Sequence, residues 1–140
     1  MKTYVLDTSI IIKWFSEYDE DDLDKALNLR NNILTNKCSI ITPDLMLYEL
    51  ANALRYNTQF TDKDVKDAIK SVIDIGLDVR KVEAIVITRA VEIAFKYNVT
   101  VYDAYFLALS QTEKKPFITA DYKFIKRLKD FKNIMRLSEM

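Results

Sequence analysis

The chain has no histidine, one glycine, one cysteine and two prolines among its 140 residues. Without histidine it lacks an imidazole general acid or base, Ser-His and Cys-His nucleophile pairs, and the common zinc sites. A lone glycine, Gly76, excludes both the P-loop and the glycine fingerprint of dinucleotide-binding folds, since each needs several. Cys38 has no partner for an internal disulfide, in keeping with a reducing compartment. No apolar run approaches the ~18 residues of a membrane span, and Met1-Lys2-Thr3 leads straight into an apolar stretch rather than a signal-peptide pattern. A soluble cytoplasmic protein is the expectation, folded as a single domain over residues 1–140.

What remains for chemistry is carboxylates, hydroxyls and cationic side chains. Sites built only from carboxylates take hard divalent cations such as Mg²⁺ or Mn²⁺. The formal net charge of zero, from 21 basic and 21 acidic residues, conceals a polarity along the chain. Glu17, Asp19, Glu20, Asp21, Asp22 and Asp24 form an acidic cluster, whereas Lys123, Lys126, Arg127, Lys129, Lys132 and Arg136 make the C-terminal part basic. A basic flank beside an acidic site suits a nucleic-acid backbone held against bound metal; a solvated helix face is the plain alternative.

The stretch Tyr4-Val5-Leu6-Asp7-Thr8-Ser9 organises the rest. The apolar run from Thr3 to Leu6 reads as a central strand of a parallel sheet, with Asp7 at its carboxyl end, the edge where ligands bind in open α/β sheets. A short helix is expected over Ile10–Phe15, a longer one over Asp21–Thr35, and a second strand over Ser39–Ile41. Thr42 reads as the N-cap of a third helix with Pro43 at its first position, followed by Leu45, Met46, Leu47, Tyr48, Leu50, Ala51, Ala53 and Leu54. Thr61-x-x-Asp64 opens a helix by a capping box, and Gly76 stops it. A third strand lies within Leu77–Val82, and helices follow over Glu83–Tyr97 and, opened by Thr100-Val101-Tyr102-Asp103, over Ala104–Thr112. Pro116–Thr119 is a fourth strand, Tyr122–Lys129 a basic helix, and Asn133–Leu137 an edge strand. The alternation implies a three-layer α/β/α fold with a central parallel sheet of four to five strands. If strands one and four are neighbours on opposite arms of the winding, Asp7 and Asp121 frame the switch-point crevice.

Four carboxylates then stand out, each with a structural reading beside it. Asp7 and Asp121 could simply cap the helices that follow them. Asp103 could be half of a capping box, like Asp64. Glu49 has Leu45 and Ala53 at i−4 and i+4, so it has no ion pair within its own helix, and an unpartnered carboxylate facing the core is costly. Three or four such acids converging at one sheet edge would repel one another unless a divalent cation compensated them.

Val5-Leu6-Asp7-Thr8-Ser9, the helix from Pro43 through Glu49-Leu50-Ala51-Asn52-Ala53-Leu54, Tyr102-Asp103-Ala104 and Ile118-Thr119-Ala120-Asp121 resemble the four acidic motifs of the PIN-domain ribonucleases, especially the VapC-type toxins of prokaryotic toxin–antitoxin pairs. The resemblance spans essentially the whole chain, with the motifs in family order and no departure at the four acids. It implies that Asp7, Glu49, Asp103 and Asp121 are catalytic and bind Mg²⁺ (or Mn²⁺), with Thr8, Ser9 and Thr119 as supporting polar groups. Lys123, Lys126 and Arg127 are the candidates for holding the RNA backbone. It also implies an RNA substrate, a small antitoxin protein that covers the groove, and a homodimer; Trp14, Phe15 and Tyr18 are aromatic candidates for facing a partner or filling the core. Other readings stay open: an RNA-processing PIN nuclease outside a toxin pair, a phosphoaspartate receiver or phosphatase-type domain, and a non-catalytic RNA or protein-binding module.

Overall fold

Residues 1–15 and 21–140 are described by a computed structural model of the chain. Glu17, Asp19, Glu20 and Tyr18, named above for charge or partner contact, lie outside the described residues.

The chain begins with β1 (Lys2–Leu6), whose last three residues are buried, and turns at Asp7 into α1 (Thr8–Lys13). Then come α2 (Leu23–Leu34), β2 (Cys38–Pro43), α3 (Leu45–Arg55) and α4 (Asp62–Asp74). The second half contains β3 (Asp78–Arg80), α5 (Ala84–Tyr97), α6 (Val101–Glu113), β4 (Phe117–Thr119), α7 (Tyr122–Lys126) and β5 (Ile134–Arg136), and closes on a 3₁₀ turn at Leu137–Glu139. All strands pair in parallel in the order β3-β2-β1-β4-β5. The winding therefore reverses between β1 and β4, and the register Leu6 to Ile118 brings the carboxyl ends of those two strands side by side. The N–H of Asp7 extends the ladder by donating to the Ile118 carbonyl at 3.0 Å.

Right-handed crossovers place α1 to α4 on one face of the sheet and α5 to α7 on the other, the three-layer arrangement expected from the alternation. The sheet core is Val5, Leu6, Ile40, Ile41, Phe117 and Ile118, all nearly or wholly excluded from solvent. Each such side chain contributes about 1.5–3 kcal/mol by leaving water. The most buried helix is α6, in which every residue from Ala104 to Ser110 is buried because it lies between the sheet and α5. Trp14 belongs to the core rather than to a partner surface: it is 5% exposed, and its indole N–H donates to the Ala26 carbonyl at 2.9 Å. Phe15 packs against the same cluster.

The structure corrects three local expectations. Thr42 and Pro43 do not open α3. Both are buried residues at the end of β2, Pro43 pairs with Arg80, and the helix starts after Asp44, which makes no side-chain cap bond. Helix propensity at Thr-Pro loses here to burial in a central strand. The Thr8–Lys13 helix begins two residues earlier than Ile10, and α7 ends at Lys126 rather than Lys129. The Thr61 capping box forms in full, with Asp64 N–H on the Thr61 hydroxyl and Thr61 N–H on the Asp64 carboxylate. Gly76 follows α4 at φ +89°, a conformation that suits glycine.

Candidate active site

The carboxyl ends of β1 and β4 hold Asp7 and the Thr119-Ala120-Asp121 turn next to each other. Asp7 occupies the N-cap position of α1 but makes no capping bond with its side chain. Its Oδ2 instead accepts from Thr119 Oγ1 at 2.7 Å and from Ser9 Oγ at 2.8 Å. Those two hydroxyls are themselves fixed by backbone, since Ala120 N–H donates to Ser9 Oγ at 3.1 Å and Asp121 N–H to Thr119 Oγ1 at 3.0 Å. Thr119 is wholly buried. Polar residues at the ends of two neighbouring strands thus lock one carboxylate oxygen in place.

Glu49 reaches the same region from the middle of α3. It is half-buried, unlike the exposed Asn52 and Tyr56 on its helix, and its Oε1 accepts from the buried Thr8 hydroxyl at 2.7 Å. Asp121 does cap α7, its Oδ1 accepting from Phe124 N–H at 3.1 Å. Asp103 sits in the first turn of α6, where its N–H donates to Thr100 Oγ1 at 3.1 Å. The reciprocal backbone bond that completes the box at Thr61 is not formed there among the described residues.

Burial and mutual repulsion act on these acids together. Desolvation pushes the Asp7 carboxyl up to about 6, against the pull of the Thr119 and Ser9 hydroxyls and with help from the charges of Asp103 and Asp121. Glu49 is raised chiefly by burial, opposed by the Thr8 hydroxyl, with Asp7 and Asp103 adding to the rise. Asp103 is raised chiefly by burial, opposed by the Thr100 hydroxyl, with Asp121 adding to the rise and Arg127 lowering it. The four sequence-predicted acids therefore lie in one electrostatic neighbourhood, with Arg127 as the cation that acts on it. Lys123 and Lys126 are exposed on α7, directly after Asp121.

Donor chemistry fits a hard divalent cation. Asp7, Glu49 and Asp121 are each tied through a single oxygen, so the bonds described leave Asp7 Oδ1, Glu49 Oε2 and Asp121 Oδ2 for another ligand. Among the described residues no group of three or more His, Cys, Asp or Glu side chains is close enough together to hold a metal ion. The hydrogen bonds orient Asp7, Glu49 and Asp121 one by one.

Two tyrosines at this edge were named in the sequence only as parts of a helix and a motif, not as site residues. Tyr48 and Tyr102, 74% and 65% exposed, each directly precede one of the acids and line an apolar groove of about 190 Å³ with Val82, Ile87 and Val101. Their signal was available: each is a large aromatic ring on the solvent side of its helix.

An open, doubly wound parallel sheet with an acidic crevice at its switch point defines the class. The chain belongs to the PIN domain family, whose model matches residues 4–129. Similar solved structures include VapBC2 from Rickettsia felis bound to a promoter DNA fragment (14% identity, TM-score 0.70, 96% of either chain covered). FitAcB from Neisseria gonorrhoeae (11% identity, TM-score 0.72, 98% of this chain and 99% of that one) has the same fold. So does VapC20 from Mycobacterium tuberculosis, described as a sarcin-ricin loop cleaving toxin (15% identity, TM-score 0.67, 87% of this chain and 94% of that one). No curated protein sequence matches the chain. Among the described residues no helix is long and apolar enough to cross a membrane.

Proposed function

We propose that this chain is a divalent-metal-dependent endoribonuclease and the toxin of a toxin–antitoxin pair, acting in the cytoplasm. The observation that carries the reading is Asp7, held by Thr119 and Ser9 through one oxygen in a crevice shared with Glu49, Asp103 and Asp121. Membership of the PIN family and structural likeness to VapBC2 from Rickettsia felis and FitAcB from Neisseria gonorrhoeae support it.

In this reading Asp7, Glu49, Asp103 and Asp121 would hold Mg²⁺ or Mn²⁺, which would supply a water of lowered pKa and charge stabilisation at the leaving oxygen. The chain's own residues set the geometry: Ser9 and Thr119 aim Asp7, Thr8 aims Glu49, and the Phe124 N–H fixes Asp121. Lys123, Lys126 and Arg127 contact the phosphates of the RNA on the basic side of the crevice. No histidine is needed, because proton transfer is left to water and carboxylates.

The partners follow from the same reading. A small antitoxin covers the crevice. A homodimer forms on the apolar surface made by Tyr48, Val82, Ile87, Val101 and Tyr102 and continued by Val91 and Phe95, which is 85% exposed. Incubation of the purified protein with single-stranded RNA and with DNA of the same sequence tests the activity: RNA is cut in Mg²⁺ or Mn²⁺, and EDTA stops it. RNA left intact in both metals rejects the reading.

A further inference from the structure

We infer that a basic cleft at the opposite edge of the sheet is a second binding site for the phosphate backbone of RNA. The choice of ligand rests on the ribonuclease reading; the cleft itself is a separate feature. It has a volume of about 470 Å³ and is lined by Arg89 and Lys96 of α5, Lys114 after α6, and Lys132 in the loop before β5. Asp130 is the carboxylate lining it, with its Oδ2 3.8 Å from Lys96 Nζ. Four cations against one acid make a local excess of positive charge in a chain whose formal net charge is zero.

These cations come from three separate segments, so they are not the solvated stripe of a single helix. Lys114 and Lys132 precede β4 and β5, which places the cleft at the amino ends of the strands, whereas Asp7 and Asp121 sit at the carboxyl ends. Strands of 3 to 6 residues, at ~3.3 Å per residue, separate the two edges by roughly 10–20 Å, within reach of one RNA chain of several nucleotides.

The backbone adds an independent observation. Six described residues have positive φ: Asp22, Asn36, Gly76, Asn98, Lys114 and Asn133. Five are of the types that tolerate this conformation; Lys114, at φ 56°, is the exception. Lys114 lines the cleft in that conformation. The Tyr97 and Phe131 rings meet edge to face at 5.9 Å in the wall, offering an apolar surface beside the cations. Phosphates flanked by bases match that combination better than an acidic polypeptide does.

The test measures binding of a 30-nucleotide single-stranded RNA to the full chain by fluorescence anisotropy, in EDTA and over a range of salt. The triple variant Lys96→Gln, Lys114→Asn, Lys132→Gln is compared with a control of equal net charge, Lys63→Gln, Lys66→Gln, Lys70→Gln on exposed positions of α4. The cleft variant should bind at least tenfold more weakly, with a salt slope smaller by about two, as for three lost phosphate contacts. The control should stay within twofold, and both should melt like the parent. Equal weakening by the two variants, or none, overturns the inference, as does competition by polyglutamate as potent as that by polyuridylate. Cleavage by the parent with unaltered binding by the cleft variant removes the second site and leaves the nuclease. Cleft-dependent binding with no cleavage in any divalent metal supports the site and removes the nuclease.

Discussion

The Thr8 hydroxyl donates to Glu49 Oε1 at 2.7 Å, joining the first turn of α1 to the middle of α3 across 41 positions of sequence. Thr8 is buried and Glu49 half-buried, so the bond orients a carboxylate that has no ionic partner on its own helix. A hydrogen bond to a charged group contributes about 1.5–3 kcal/mol. Thr8→Val should lower stability by about that amount in thermal melts and reduce RNA cleavage at least tenfold, while Thr8→Ser should retain most of both. Cleavage by Thr8→Val equal to the parent's would show that Glu49 needs no such orientation.

Asp7 sets a pH dependence whose sign is fixed. Its folded-state pKa of about 6 lies above the ordinary 3.8, so the native state holds the proton more tightly than the unfolded chain does. The stability this gives is complete below pH ~4 and is lost as pH rises through 6, and a shift of about two units amounts to about 3 kcal/mol at most. Metal-free parent should therefore lose stability between pH 4 and 7 relative to Asp7→Asn. Added Mn²⁺ should raise the melting temperature of the parent at pH 7.5 far more than at pH 5, because metal must displace that proton. Parallel stability profiles for parent and variant would remove Asp7 as the source.

Thr42 Oγ1 is fully buried and has no hydrogen-bond partner among the described residues. An unpaired buried hydroxyl costs about 1–3 kcal/mol. Thr42→Val keeps the shape and removes that group, so it should be neutral or stabilising by about 1 kcal/mol in chemical denaturation, with activity unchanged. A clear loss of stability would reveal a partner for the hydroxyl.

Gly76→Ala isolates a backbone effect. A Cβ there meets no atom within 4 Å, yet the φ of +89° disfavours any L side chain. The substitution should destabilise by about 1 kcal/mol or more through conformation alone, read in the same denaturation experiment. A Gly76→Ala variant more stable than the parent would mean that the turn relaxes to negative φ.

The parallel sheet and its three layers were legible because buried parallel strands are short apolar runs alternating with helices, whereas the adjacency of β1 and β4 was only a condition in the sequence and comes from the Leu6 to Ile118 register. As candidates, Asp7 and Asp121 stood out at strand ends and Glu49 as a lone charge on an apolar helix, whereas Asp103 occupies a capping position like Asp64 and stood out only by the buried helix behind it. Thr42 and Pro43 were misread because a local Thr-Pro signal is the same at the start of a helix and at the end of a buried strand; the Ile41-Asp78 pairing that decides it lies 37 residues away in sequence. The cleft of Arg89, Lys96, Lys114 and Lys132 was invisible for a similar reason, since its charges are scattered in sequence and meet only once α5, α6 and the loop before β5 pack together.

Binding of Mn²⁺, followed by electron paramagnetic resonance on the parent and on Asp7→Asn and Glu49→Gln at pH 7.5, tests the central claim most directly. The parent should take up the ion, and each substitution should weaken binding at least tenfold while the fold, judged by circular dichroism, is kept. Binding of equal strength in all three proteins, or none in the parent, would contradict it.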